Sequence, residues 1–303
     1  MLNAYFISPE FNMTSTNETT PAANGSVRVE NGKNGLPKVV LEAAAGNRAE
    51  LYLQGAHITS WRSRGVERLF LSEKAIYSPG TAIRGGIPLV FPQFGPGPLP
   101  SHGFARITEW SLKKSGADHS NAHVALELKS DSRTFTLWPY EFEATLTIVL
   151  NESLSSTIEI RNLGRENLNF QWAFHTYFKT DVSATNVIGL TNLEYLDNLK
   201  AGAHGTESRA EIVVTDEVDR VYIKAPNDIV VASKKQNIVI QKQGLPDAVL
   251  WNPWFTKSST FKDMTPDEYL SMICVETGAI ASPVLVRPHD TFTASQSLSA
   301  TDL

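Results

Sequence analysis

The sequence predicts an antiparallel all-β sandwich, and three observations carry that expectation. Short runs alternate apolar and polar residues with a period of two, and Gly, Pro, Asn or Asp bounds each of them. Long stretches of the 3.6-residue periodicity of an amphipathic helix are missing. Strands that recur without intervening helices pack as antiparallel sheets rather than as a helix-covered parallel sheet.

Along the chain, the polar segment MTSTNETTPAANGS (13–26), low in aromatics, marks a disordered leader over residues 1–27. One β domain is expected over 28–303, because no internal repeat and no Ser/Gly-rich linker divides the rest. The alternation begins at SVRVEN and continues through AELYLQGAHITSWRS, HVALELKS, EFEATLTIVL, SSTIEIRN, DRVYIKAP, NIVIQKQ and DTFTASQSL. Two short helices are expected, one near SEKAIYSP and one at TPDEYL, where Thr265 caps and Pro266 takes the first helical position. The segment AIRGGIPLVFPQFGPGPLPSHGFAR (82–106) breaks the rhythm with a density of Gly and Pro that excludes regular structure through much of its length. Its Ile87, Leu89, Val90, Phe91 and Phe94 need burial, so it reads as an ordered functional loop.

Composition narrows the function classes. A net charge of −5 gives no basic footprint for nucleic acid. Hydrophobic content of 42% with 19% charged residues describes a soluble protein with a sizeable core. Nowhere do about 18 apolar residues run together, so no membrane helix is expected. The lone Cys274 cannot form an internal disulfide, and no Cys/His cluster has zinc spacing. With no Lys or Arg before Arg28 and no apolar signal core, a cytoplasmic monomer is the expectation.

Four places could carry chemistry. As a strand, FQWAFHTYF puts Phe170, Trp172, Phe174 and Phe178 on one face with Thr176, and Gln171, Ala173, His175 and Tyr177 on the other. His175 is then either a hydrogen-bonded structural histidine or a member of a polar cleft wall. Glu276, in MICVETG, ends an apolar run and shares a face with Met272 and Cys274. It either points into water or is partly desolvated, which would raise its pKa and make it a better base near neutral pH. Arg84 and Arg106 flank the Gly/Pro loop with His102 between them; two guanidinium groups there could grip a phosphate or make ordinary salt bridges. DAVLWNPW gathers Asp247, Trp251, Asn252 and Trp254, which suit a sugar or simply fill the core, and Asp219 opens a strand in EVDRVY.

The motifs RGGIPLVFPQFG, HGFAR, FHTYF, LPDAVLWNPW and MICVETG, in that order, resemble the aldose 1-epimerase (mutarotase) superfamily. The resemblance spans roughly residues 35–298 and is nearer to the glucose-6-phosphate 1-epimerase, or hexose-6-phosphate mutarotase, branch. It implies a galactose-mutarotase-like β-supersandwich of antiparallel sheets with a few short helices. It also implies an isomerase that needs no metal or organic cofactor and acts on a sugar phosphate. Carried over by motif, His175 and Glu276 are catalytic, and Arg84, Arg106, His102 and Asp219 bind substrate. Some relatives have Gln where this chain has Ser101. Ring opening of a hemiacetal removes a proton from the C1 hydroxyl and delivers one to the ring oxygen, which assigns Glu276 as base and His175 as acid. On that assignment the two stand on opposite sides of the sugar, one hexose ring apart, with the carboxylate raising the imidazole's pKa. Competing readings are an epimerase of unphosphorylated aldoses, a glycoside hydrolase, which usually needs two carboxylates, and a non-catalytic sugar-binding module.

Overall fold

The computed structural model describes residues 25–303. Its described strands form three antiparallel sheets. The first is a meander of Ser26–Asn31, Pro37–Glu42, Arg48–Tyr52, His57–Ser63 and Val66–Glu67, each paired with the next. Ser26 and Val27, counted with the leader in the sequence, are its first two residues; the leader otherwise falls outside the described residues, apart from Gly25. The single run AELYLQGAHITSWRS divides into two strands, because Gly55 and Ala56 turn the chain with positive φ.

A nine-stranded sheet holds Phe142–Leu150 and Leu154–Asn162 near its centre, flanked by Ala122–Lys129 and the C-terminal Thr291–Asp302. Burial alternates strictly along Phe142–Leu150, so this sheet hides one face and wets the other, as the period-two pattern requires. The third sheet differs. Its central strands Asp247–Asn252 and Met272–Val286 are buried on both faces through Asn252 and through Ile280. One face contributes Phe170, Trp172, Phe174 and Phe178 to the main hydrophobic core. The other carries a smaller cluster with Ala173, Tyr177, Val249, Trp251, Met272 and Cys274. The two-faced reading of FQWAFHTYF therefore matches the packing, although the strand Leu168–Phe174 ends before His175 and pairing resumes at Tyr177–Lys179.

The expected helices need correction. Residues 72–79 form turns and extended chain, with Tyr77 packed on Tyr52 at 5.0 Å between ring centres. Eight residues closed by a proline do not repay helix nucleation when an aromatic anchor can be buried instead. At TPDEYL the chain forms a 3-10 turn, Glu268–Ser271, and Thr265 donates its backbone N–H to the Glu268 side chain rather than capping. Two helices were not expected: Ser132–Leu137, opened by a capping box between Asp131 and Thr134, and Trp254–Ser258. No helix among the described residues is long and apolar enough to cross a membrane.

Candidate active site

The site is built by strand register. Phe174 lies opposite Thr277, and Tyr177 lies opposite Cys274. Continuing either pairing sets His175 against Glu276. An irregularity further along makes this possible: Phe170 pairs with Val284 but Trp172 with Ala279, so two steps on one strand match five on the other. Without the extra residues, His175 would fall opposite Ala279. Two side chains hold the bulge, Asp247 fully buried and Gln171 partly so. Asp247 accepts the backbone N–H groups of Ile280 and Ala281, both at 2.8 Å. Gln171 donates to the Ile280 carbonyl at 2.7 Å and accepts from the Phe94 N–H at 2.9 Å.

Sheet order sets what stands on either side of this pair. Asp219 lies opposite Trp251, Trp251 opposite Cys274, and the strand of Cys274 and Glu276 runs beside that of Phe174 and Tyr177. Asp219 is therefore on the Glu276 side of the sheet. On the His175 side the Gly/Pro loop adds the short strand Leu89–Val90, paired with Ala173 and Phe174. The loop is ordered, and its Ile87, Leu89, Val90 and Phe91 are buried. Its glycines allow the folding: a Cβ on Gly86 (φ 64°) would lie 2.1 Å from the Ile58 carbonyl, and one on Gly103 (φ 74°) 2.0 Å from the Phe91 carbonyl.

All six sequence-chosen residues, His175, Glu276, Arg84, Arg106, His102 and Asp219, line one cavity of about 710 Å³, a size suited to a small molecule. His175 Nε2 is 3.4 Å from Glu276 Oε1, long for a hydrogen bond. His175 Nδ1, Glu276 Oε2 and Arg106 Nε are buried without a hydrogen-bond partner among the described residues. Each such atom costs roughly 1–3 kcal/mol, a cost that a ligand's polar groups can relieve. The imidazole is clamped by Tyr177, stacked at 4.8 Å and 10°, with the edges of Trp251 at 5.8 Å and His102 at 5.4 Å.

These distances correct one expectation: acid and base are adjacent, not a hexose ring apart. The physical reason is that the two oxygens they would serve are both bonded to C1. The expected rise of the imidazole's pKa is corrected as well, while the expected rise at Glu276 agrees in direction. Burial pushes the Glu276 carboxyl well above its ordinary value, and the Asp219 charge adds to this. Burial likewise pushes His175 well below its ordinary value, helped by the neighbouring His102, Arg106 and Arg84. Burial thus favours the uncharged form of each partner, a carboxylic acid and a neutral imidazole, over a carboxylate and an imidazolium.

The two arginines are not equivalent. Arg84 donates through Nε and Nη2 to both oxygens of Asp263, at 3.3 and 3.2 Å, and through Nη1 to the Tyr177 hydroxyl at 3.2 Å. It also lies over the Phe261 ring at 4.5 Å. Arg106 donates from Nη2 to the Ser101 carbonyl at 2.7 Å and has no ion pair among the described residues. Ser101 thus serves through its backbone, where its short side chain matters little. His102 sits at φ 63°, an unusual conformation for a non-glycine residue, and its Nδ1 accepts the Gly95 N–H at 3.3 Å. That bond leaves Nε2 protonated, and burial with both arginines nearby lowers its pKa to about 3, so it stays a neutral donor. Asp219 accepts from Asn198 Nδ2 at 2.7 Å, and burial raises its pKa.

The DAVLWNPW cluster divides. Trp251 lines the cavity, whereas Asp247 holds the bulge and Asn252 Nδ2 donates to the carbonyls of Tyr269 and Met272. Sequence reasoning missed Asn198, Lys257, Phe261 and Asp263, which sit in turns and a short helix with no motif of their own.

Comparison with known proteins agrees with this geometry. A family model described as aldose 1-epimerase matches residues 37–299. A protein of Cenchrus ciliaris named putative glucose-6-phosphate 1-epimerase is 43% identical over 88% of this chain and 85% of its own length. One of the same name from Salmonella typhimurium is 32% identical over 78% of this chain and 81% of its own. Among solved structures, a putative mutarotase from Salmonella typhimurium superposes with a TM-score of 0.85 at 27% identity, covering 94% of this chain and 96% of that one. The galactose 1-epimerase of Lactobacillus acidophilus, at 14% identity, has a TM-score of 0.72 over 92% of this chain and 98% of its own, and shares the fold. The chain therefore belongs to the aldose 1-epimerase family and is a sugar-epimerising isomerase.

Proposed function

We propose that the protein interconverts the α and β anomers of glucose 6-phosphate, and of related hexose 6-phosphates, by acid–base ring opening and reclosure. Glu276 takes the proton of the C1 hydroxyl while His175 delivers one to the ring oxygen. The C1–O5 bond breaks as the C1 carbonyl forms. Rotation about C1–C2 then presents the other face of the aldehyde, and closure with the roles reversed gives the other anomer. Both oxygens sit on C1, which suits a base and an acid whose nearest atoms are 3.4 Å apart. For ring opening Glu276 acts as the carboxylate and His175 as the imidazolium, which holds the same number of protons as a carboxylic acid beside a neutral imidazole.

The observation that carries the phosphate assignment is the position of Arg106. In a hexose, C6 hangs from C5, the ring neighbour of O5. A histidine at O5 therefore has the 6-phosphate on its own side, away from Glu276. The loop whose strand Leu89–Val90 borders that side ends at Arg106, which lines the cavity with an Nε that has no partner among the described residues. An epimerase of unphosphorylated aldoses is the competing reading, favoured by the neutralisation of Arg84 by Asp263. Arg106 answers it, since no carboxylate lies within ion-pair distance of that guanidinium among the described residues. NMR exchange spectroscopy between anomeric protons, run on glucose and glucose 6-phosphate, is the test. A wild-type enzyme without preference for the phosphate rules out the sugar-phosphate reading.

A further inference from the structure

At the Glu276 end of the cavity, three polar side chains converge that no acid–base step uses. Asn198 opens the turn after strand Glu194–Asp197 and donates to Asp219 Oδ1 at 2.7 Å. Lys257, on the short helix Trp254–Ser258, places Nζ 3.9 Å from Asp219 Oδ2 and 3.4 Å from Glu217 Oε1. Both Asn198 and Lys257 line the cavity, and the Lys257 side chain keeps 38% of its surface open. The strand order puts this group on the far side of Glu276 from His175.

That placement has a stereochemical meaning. C1 has two ring neighbours, O5 and C2. If His175 is at O5 and Glu276 at the C1 hydroxyl, the groups beyond Glu276 meet the substituent on C2. We propose that Asn198 and Lys257 are specificity-determining residues that hold Asp219 as an acceptor and, with it, read the C2 hydroxyl of the sugar. The inference rests on the acid–base orientation given above and extends it to a second position of the ring. Asp219 accepts the hydroxyl proton, and Lys257, whose ammonium has three donors, gives one to the hydroxyl oxygen. A sugar lacking that hydroxyl leaves Asp219 and Lys257 facing the cavity without it, which is how a polar site rejects a deoxy analogue.

The test measures kcat/KM for anomer exchange on glucose 6-phosphate against 2-deoxyglucose 6-phosphate, and on glucose against 2-deoxyglucose. Wild type, Lys257→Met and Asn198→Ala are compared, each with its Tm. Wild type is expected to lose about tenfold to a hundredfold in kcat/KM when the 2-hydroxyl is removed, in either pair. Each variant is expected to lose most of that selectivity, bringing the ratio toward one. Lys257→Arg, which keeps the charge but moves the donor, supplies the same ratio should Lys257→Met fold poorly. Equal turnover of parent and 2-deoxy sugar by wild type overturns the proposal, as do variants that slow both sugars alike. Because the ratio is also read in the unphosphorylated pair, a missing phosphate preference counts against the substrate assignment and not against this reading of C2.

Discussion

His175 and Glu276 face each other across adjacent chain segments with their nearest polar atoms 3.4 Å apart, and burial disfavours the charged form of both. Ring opening nevertheless needs the carboxylate and the imidazolium, the forms that burial makes costly. Catalytic power and stability should therefore oppose one another here.

Glu276→Gln keeps the shape of the side chain and removes the base. Anomer exchange should fall by about 10²–10⁴-fold. Stability should move the other way. The Glu276 pKa is raised in the folded state, so its contribution is full below about 4.5 and is lost as pH rises toward the folded value. The glutamine cannot ionise, so its Tm advantage over wild type should widen from acid to alkaline pH. A variant that stays active, or a Tm difference that is flat with pH, contradicts the assignment.

The arginines should separate kinetically. Arg106→Ala removes a guanidinium with free donors and should raise KM for glucose 6-phosphate about tenfold or more, without slowing glucose. Arg84→Ala instead frees Asp263 and strips the Tyr177 hydroxyl of its donor, loosening the ring stacked on His175. Its main effect should be on kcat, and for both sugars. Equal behaviour of the two variants would refute this division of labour.

What could be read in advance follows from the range of the interactions. Alternation is local, so the strands and the two-faced character of residues 170–178 were legible. His175 and Glu276 carried family motifs. Their adjacency was not legible, because it depends on a bulge near residues 280–283 that only cross-strand pairing reveals. The directions of their pKa shifts follow from burial and from residues distant in sequence. Asn198, Lys257 and Asp263 meet the site only through tertiary packing, and no local pattern distinguishes them from other turn residues.

Asp247 tests whether the bulge fixes the catalytic register. Asp247→Ala leaves the Ile280 and Ala281 N–H groups without their acceptor and should cost about 2–4 kcal/mol of stability. Amide hydrogen exchange at those two residues should rise, and kcat should fall because Glu276 is four residues from Ile280 on the same strand. Faster exchange with unaltered kcat would mean that the bulge supports the fold but not the alignment of the pair.

The last prediction concerns the proton. His175 is depressed partly by Arg106 and Arg84, so an anion seated on those arginines should relieve the depression and favour the imidazolium that ring opening needs. Inorganic phosphate should then shift the His175 titration upward, followed by NMR of its ring carbons, and should also speed anomer exchange of unphosphorylated glucose. In Arg106→Ala the titration should begin higher, and phosphate should move it less. Under this scheme the substrate's phosphate does more than tighten binding. It sets the charge of the acid that opens the ring, so preference for glucose 6-phosphate should appear in kcat as well as in KM. A phosphate preference confined to KM, or a His175 titration indifferent to phosphate, would leave the anion as a handle for binding alone.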